Sequence, residues 1–532
     1  MNKCYAWVVR FALLCALSFV FLFPLLGQPS APRATDRVIV TLTSQPLEGN
    51  QKVYFSISEG DQVSLESPSS GTLTLGEKKN RKQAVSLELP SGTTSFSLVG
   101  SLREFFIPYR AKGENTPKVA ALDLQGAPRL LTLNCAGNDI TSLDVSKNTS
   151  LTYLFCDANP IAELDLSGLP NLTSLSASDL KLKKLDLSAN PKVAALGIGG
   201  NPFDQDFNLY AYSSLPLLQL TCDRLGLEEF DCSKFPKLEM LYIHGNKLKS
   251  MGDLRPLRSL LHLSIGDNPL RDFDENKLPH GRLRSLYCFG LGISSLDLSG
   301  FTYINKVDCS NNQLTHLGVN RCENLEVLRC GRNALTELDL TSLWLKELQC
   351  DRNQLSAILL SDRANMQKLS CYGNRLSLER MEQLVERLVK SSPEQSPRVF
   401  TPFTTRAEVP EYNVCPKSLV DRVRTAGWEV RVVTGVDAEG REVTEDFEGS
   451  PMTLEPTPQQ SVTLYPNPAG EYLLVENLSP NTWLYLYNAS GECVQKELTG
   501  ASGSLKLPLS HLPVGSYFLR ADEGVFPFII ER

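Results

Sequence analysis

Between Leu133 and Cys371 the chain keeps returning to one apolar phrase, and this periodicity limits the fold more than any other feature. Aligned on Leu-x-Cys, or Val-x-Cys at Cys309, the phrase carries Cys135, Cys156, Cys222, Cys288, Cys309, Cys330, Cys350 and Cys371. Ala177, Ile198, Ile243 and Ile265 fill the remaining places of the same column. Twelve repeats result, spaced 20 to 24 residues apart and mostly 21. Nine of them place Asn three residues further on, at Asn138, Asn159, Asn201, Asn246, Asn268, Asn312, Asn333, Asn353 and Asn374. Units of this length cannot bury their apolar faces alone, so they stack into a solenoid. Each should supply a short strand with alternate side chains inward, and the strands should build a parallel sheet.

The column fixes the environment of the cysteines. It admits Ala and Ile, so the site is small and apolar, and free cysteine behaves there as a small hydrophobe. Eight thiols in one column also raise disulfides or a metal ladder as alternatives. In-register parallel neighbours sit ~4.8 Å apart with parallel Cβ vectors, whereas a bridge wants ~3.8 Å and converging ones. Unpaired buried thiols are therefore expected. Cys232 replaces an apolar residue of the second half-repeat and is expected in the core, while Cys322, Cys415 and Cys493 carry no signal.

That second half-repeat reads Leu143-Asp144-Val145-Ser146, Leu164-Asp165-Leu166-Ser167, Leu185-Asp186-Leu187-Ser188, Leu296-Asp297-Leu298-Ser299 and Leu338-Asp339-Leu340-Thr341. Its alternation predicts a second extended segment on the back of the coil. A single Asp per turn without flanking acidic ligands is expected to bond neighbouring backbone rather than calcium.

The whole phrase matches the L-x-x-L-x-L-x-x-[N/C]-x-L consensus of leucine-rich repeats. Leu328-x-Cys330-x-x-Asn333-x-Leu335-x-x-Leu338-Asp339 at a 21-residue period resembles the cysteine-ladder repeats of internalin J-like bacterial proteins, over about residues 119–378. The resemblance implies a horseshoe-shaped, mainly β leucine-rich-repeat solenoid that binds other proteins. Two departures are an insertion between Asn201 and Leu220, and Leu225 and Leu291 in place of Asn.

The flanks complete a six-part division. Residues 1–27 read as a signal peptide: Lys3 and Arg10 precede an uncharged apolar run to Leu26, and Pro24 with Gly27 breaks it, which leaves Gln28 first after cleavage. The competing reading is a membrane anchor, but the run is short for a span, and a lipoprotein is excluded because Cys15 lies inside it. Without the signal the mature chain should have no membrane span. Residues 28–118 alternate like a small β-domain capping the first repeat, and 379–433 read as an α/β cap with Met381, Leu384, Val385 and Leu388 at helical spacing. The acidic run 434–460 is poor in large apolar residues and reads as a flexible linker.

Residues 461–532 return to alternation. Tyr465-Pro466-Asn467-Pro468, a central Gly491 after Ser490, and a final Leu-x-x-Gly515-x-Tyr517-x-x-Arg resemble, in that order, the C-terminal sorting domain of type IX secretion cargo. The resemblance implies a β-sandwich handled by the type IX translocon. It further implies passage through the periplasm of a Gram-negative bacterium, to release or to attachment at its outer surface.

A net charge of -7 with no basic stripe argues against nucleic acid as partner. None of the five His falls in a metal-ligand or nucleophile motif, so the chain is read as a non-enzyme with no cofactor or metal. Two functions remain: adhesion through a protein or glycan ligand on a host or neighbouring cell, or an envelope or biofilm-matrix scaffold without a specific ligand. For the first, the outward columns of the strands hold a candidate site. Met240, Tyr242 and His244, then His262, then Tyr287 and Phe289 fall in three consecutive repeats and should form one exposed patch, the alternatives being scattered surface aromatics or a seat on which a cap packs. Lys306, Asp308, Arg329, Glu347, Asp351 and Lys368 would follow as its polar rim.

Overall fold

The computed structural model describes residues 118–362, 365–390, 398–437 and 440–450 without a break, and mainly the strands of the flanking β-regions, between 36 and 107 and between 463 and 531. The signal segment 1–27 and residues 451–460 of the expected linker lie outside the described residues. The chain divides into two compact units, one running through residue 413 with 421–447, the other comprising 414–420 with 448–532.

In the first unit each repeat forms a three-residue strand, from Thr132–Asn134 to Lys368–Ser370. The twelve strands pair in parallel and in register: Leu241 opposes Leu263, and Leu263 opposes Leu286. The central Leu and the following ladder residue point inward. Leu154, Leu220, Leu263, Leu348 and all eight ladder cysteines are 0% exposed. Each fully buried Leu contributes about 1.5–3 kcal/mol, and the stack adds this at every repeat. The result is a leucine-rich-repeat β-solenoid.

The Asn column fastens one repeat to the next. Asn159 Nδ2 donates to its own Cys156 carbonyl at 2.9 Å and to the Cys135 carbonyl one repeat back at 3.0 Å, while Oδ1 accepts the Ile140 N–H at 3.0 Å. Asn246, Asn333 and Asn374 make the same three bonds in their own repeats. One buried amide thus satisfies backbone groups that the turn leaves unpaired. At Leu225 and Leu291, where the amide is missing, the backbone N–H turns to the next repeat's Asn instead, to Asn246 Oδ1 and Asn312 Oδ1, both at 2.9 Å.

The residue just before the Asn column is left-handed in all twelve repeats, with φ between +50° and +74°. Five are glycines, and the other seven are Ala158, Asp179, Arg224, Asp267, Asn311, Arg332 and Arg352. In the second half-repeat the Asp column closes Asx turns: Asp144, Asp165, Asp186 and Asp297 each accept the N–H two residues on, at 2.8–3.0 Å. The expected back segment pairs as strands in only four places among the described residues, Ser295–Asp297 with His316–Gly318 and Glu337–Leu340 with Ala357–Leu360. Elsewhere it bends into turns, including the 3-10 helices Cys232–Lys234 and Glu275–Lys277.

Both ends of the sheet are continued by non-repeat strands. Glu104–Phe106 of the N-terminal β-region lies parallel to the first repeat strand and joins it to Gln51–Ser58, Lys82–Leu89 and Thr72–Lys79. The strand Val119–Gly126 pairs with Asp36–Leu42 and so belongs to that region's second sheet. At the other end Arg398–Thr404 lies parallel to Lys368–Ser370, followed by Trp428–Val436. Helix α1, Leu378–Lys390, buries Met381, Leu384, Val385 and Leu388. The acidic run read as linker from 434 departs from expectation here. Glu442–Asp446 pairs antiparallel with Trp428–Val436, and Arg431 bonds Asp446 at 2.7 Å. Backbone pairing and charge hold this hairpin, which is why apolar content did not reveal it.

In the C-terminal unit two sheets enclose a core of Leu473, Val475, Leu484, Leu486, Leu507, Leu519 and Phe528. One sheet holds Thr463–Tyr465, Tyr472–Glu476 and Leu505–Pro508, and the other Cys493–Leu498, Trp483–Asn488, Gly515–Ala521 and Gly524–Ile530.

Candidate functional site

The outward columns of the repeat sheet form its front face. Register brings the six candidate residues together: Met240 opposes His262, Tyr242 and Tyr287 flank Ser264, and His244 and Phe289 flank Gly266. Large side chains therefore alternate with small ones across neighbouring strands. A Cβ at Gly266 would lie 2.8 Å from the Phe289 ring, so the glycine makes room for that ring to reach His244, with ring centroids 6.1 Å apart.

The expectation of an exposed patch is corrected by this packing. Tyr242 is 3% exposed, Tyr287 5% and Phe289 2%, and His244 is buried too; only Met240 and His262 are partly open. The side chains cover one another, a consequence of ~4.8 Å strand spacing that a column-by-column reading does not take into account. Burial also keeps both histidines uncharged at neutral pH. It lowers His244, and with Arg284 and Lys306 nearby it holds His262 down at about 4.

The polar stretch beyond is an ion-pair network. Arg329 bonds Glu347 at 2.9 Å, Lys368 lies 3.9 Å from the same carboxylate, and Asp308 accepts Ser310 N and Oγ at 3.1 and 2.6 Å. Burial raises Asp308, and raises Asp351 to about 6 with a further push from Glu442.

A second cluster was missed by sequence reading. Arg224 reaches back two repeats to grip Asp179 through both nitrogens, at 2.6 and 3.0 Å, and bonds Asp223 at 2.7 Å. Gly199 and Gly200 leave space for these groups: a Cβ there would stand 2.0 Å from Asp223 Oδ1 and 2.2 Å from Asp179 Oδ1. The available signal was the run Gly199-Gly200 level with acidic residues in adjacent repeats. Next to it, Ser264 Oγ lies 3.2 Å from His244 Nδ1, and His244 Nε2 lies 3.7 Å from Asp223 Oδ2. The trio has the composition of a hydrolase relay. Asp223 is already held by Arg224, however, and Ser264 and His244 are buried, so a substrate carbonyl could not reach the hydroxyl.

None of the eight ladder cysteines is in a disulfide, and all are buried. Burial pushes Cys135 up to about 12 and raises Cys156, Cys309 and Cys350 as well. Cys322 is buried on the back of the coil, its thiol donating to Leu298 O at 3.2 Å, while Cys232 is only half-buried.

In the C-terminal unit the motif residues occupy structural corners. Asn467 Oδ1 accepts the Ile529 N–H at 3.0 Å, and Ala469, just after Pro468, bonds Ile529 O at 2.7 Å. Tyr517 is buried against Phe528 and donates its hydroxyl to Pro513 O at 2.9 Å, at the start of the strand Gly515–Ala521. Tyr465 and Pro466 are exposed, and Gly491 lies outside the described residues.

Residues 463–526 match the secretion system C-terminal sorting domain. This tail marks the chain for type IX secretion to the cell surface or the extracellular space. No helix among the described residues is long and apolar enough to cross a membrane. No curated protein matches the sequence. Among solved structures the chain is similar to the functional domain of InlJ from Listeria monocytogenes, which includes a cysteine ladder. The identity is 19%, over 81% of this chain and 86% of that one, with a TM-score of 0.43. It is also similar to an internalin, inlF, from Listeria monocytogenes, at 21% identity over 54% and 78% of the two chains and a TM-score of 0.40. A leucine-rich-repeat protein of Leptospira interrogans gives 18% identity, 53% and 82% coverage and a TM-score of 0.36. The assignment of this solenoid rests on its own repeat geometry.

Proposed function

We propose that the chain is a secreted, surface-displayed binding protein, non-enzymatic, whose front sheet face contacts a protein ligand on a host or neighbouring cell. One observation carries the reading. The inward columns hold to Leu, with Val once at Val307, followed by Cys, Ala or Ile, and the turn is held by Asn in nine of twelve repeats, while the three outward columns change from repeat to repeat. A rigid scaffold thus presents a varied face, and a sorting tail that directs export supports the display of that face. Within the face, the aromatic layer at Tyr242, Tyr287 and Phe289 offers a firm floor, Met240 and His262 offer reachable edges, and Arg329, Glu347 and Lys368 form a charged border. The test is binding of the purified protein to host cells and immobilised matrix proteins. Saturable uptake that unlabelled protein competes away is expected. Linear uptake without saturation would favour the matrix-scaffold reading instead.

A further inference from the structure

A second surface lies on the edge of the coil, away from the front face. Tyr303 is 59% exposed and Trp344 57%, although aromatic side chains of this size ordinarily bury most of their area. They occupy the same place in their repeats. Each stands three residues before a front strand, Tyr303 before Lys306 and Trp344 before Glu347, and each precedes a buried core residue, Ile304 and Leu345. Asn324 holds that place in the repeat between them, before Leu325 and three residues ahead of Val327. Lys306 opposes Val327 and Val327 opposes Glu347, so the three outer residues form a row in the order aromatic, amide, aromatic. Two strand spacings, ~10 Å, separate the backbone positions of the two aromatic residues. The other nine repeats place Arg129, Ser150, Asn171, Lys192, Pro216, Lys237, Ser259, Arg282 and Asn365 there, so the aromatic pair is confined to this stretch.

Beside the row runs a polar column. Glu326 and Lys346 pair at 2.8 Å, which leaves the surface between the rings hydrophilic without a dominant charge. Asn324 is anchored by donating Nδ2 to Thr302 O at 2.7 Å, which directs its amide along the edge. An apolar protein segment would have to leave these polar groups facing carbon. A sugar chain combines C–H faces that stack on aromatic rings with hydroxyls that bond amides and charged groups.

We propose that the Tyr303–Asn324–Trp344 edge binds a neutral, extended, β-linked oligosaccharide. Tyr303 and Trp344 would lie under alternate pyranose rings, whose spacing in an extended β-linked chain matches two repeats. Asn324, Glu326 and Lys346 take the hydroxyls of the ring between. This site does not use the front face and stands or falls separately from the protein-binding reading.

Titration of the full chain with cellohexaose, followed by tryptophan fluorescence and calorimetry, tests the site. Saturable binding is expected, with tenfold or greater loss of affinity in Trp344→Ala and in Tyr303→Ala, and partial recovery in Trp344→Phe. Both positions are solvent-facing, so the melting temperature should stay unchanged. The α-linked maltohexaose, which coils, should bind at least tenfold more weakly, and Met240→Ala with His262→Ala should leave cellohexaose affinity as it was. Lack of saturable cellohexaose binding, equal binding of the two oligosaccharides, or full affinity in Tyr303→Ala with Trp344→Ala would each overturn the proposal.

Discussion

Asn413 donates its side-chain amide to the Cys371 carbonyl at 2.8 Å, although 42 positions of chain separate them. Its Oδ1 accepts the Leu376 N–H at 2.9 Å, as each ladder Asn does for the repeat before its own. The cap therefore supplies a further rung to a column that the repeat has stopped providing. Asn413→Ala would leave buried backbone groups unpaired and should cost on the order of 3 kcal/mol. Thermal or urea unfolding measures the loss, and hydrogen exchange should quicken at Leu376 first. An unchanged melting temperature would show that the rung contributes nothing.

The cysteine ladder should be chemically silent until the solenoid unfolds. None of its thiols is in a disulfide and all are fully buried, and burial raises Cys135, Cys156, Cys222, Cys288, Cys309, Cys330 and Cys350 above the ordinary thiol range, so few of these are thiolates at neutral pH. Labelling should be low in the native state and gain at least eight thiols on denaturation, to the same extent with and without reductant. A gain that needs reductant would indicate bridges. Cys309→Ser should lose about 1–3 kcal/mol, because its hydroxyl must find a partner in an apolar column. Cys309→Ala should lose less, since Ala177 already occupies the equivalent place.

Asp157 gives the front face a pH dependence. Burial raises its carboxyl to about 6, against the pull of Ser176 Oγ at 2.6 Å and Ser178 N at 2.9 Å on Oδ1. The native state thus holds this proton more tightly than the unfolded chain, whose group titrates near ~4. Its contribution is favourable below that value and is lost as pH rises through about 6. The Asx-turn carboxylates Asp144, Asp165 and Asp186 act oppositely: backbone N–H bonds lower them, so their stabilisation disappears only in more acidic solution. Asp157→Asn keeps an acceptor for both serines and removes the charge. It should raise stability at pH 7 by on the order of 2 kcal/mol and flatten the slope of melting temperature between pH 4 and 6. An identical slope in the variant would assign the dependence elsewhere.

The terminal signals make a prediction about the mature chain. The apolar segment ending at Gly27 and the tail matched over 463–526 both read as export devices. Surface material should begin near Gln28 and lack the block after about Gln460. Intact-mass measurement decides this, and protein that retains Arg532 at the cell surface would count against removal of the tail.

The solenoid was legible because its inward columns are set by a single local rule, small or apolar every second position, which the sequence repeats twelve times. The left-handed column was not, since Arg224, Arg332 and Arg352 occupy places where only Gly, Asn or Asp would have given notice. The rung at Asn413 escaped for a different reason, as it depends on the chain returning from the cap. Burial on the front face is set by neighbours two repeats away. The Asp179–Arg224–Asp223 cluster and the covering of Tyr242 thus depend on side-chain length and on glycine gaps in adjacent strands, not on strand alternation.

That covering changes what substitution of the front face should do. Tyr242 and Tyr287 were expected in an exposed patch, but both are buried and flank Ser264 in one column. Removing a buried aromatic side chain costs on the order of 3 kcal/mol, so Tyr242→Ala with Tyr287→Ala should lower the melting temperature clearly and weaken binding indirectly. Met240 and His262 lie beside them with part of their surface open, and His262 Nδ1 bonds Ser285 Oγ at 3.0 Å. If the front face is the contact, Met240→Ala with His262→Ala should weaken saturable cell binding tenfold or more while the melting temperature moves little. Undiminished binding by that pair, in protein that melts like the parent, would remove this part of the face from the interface.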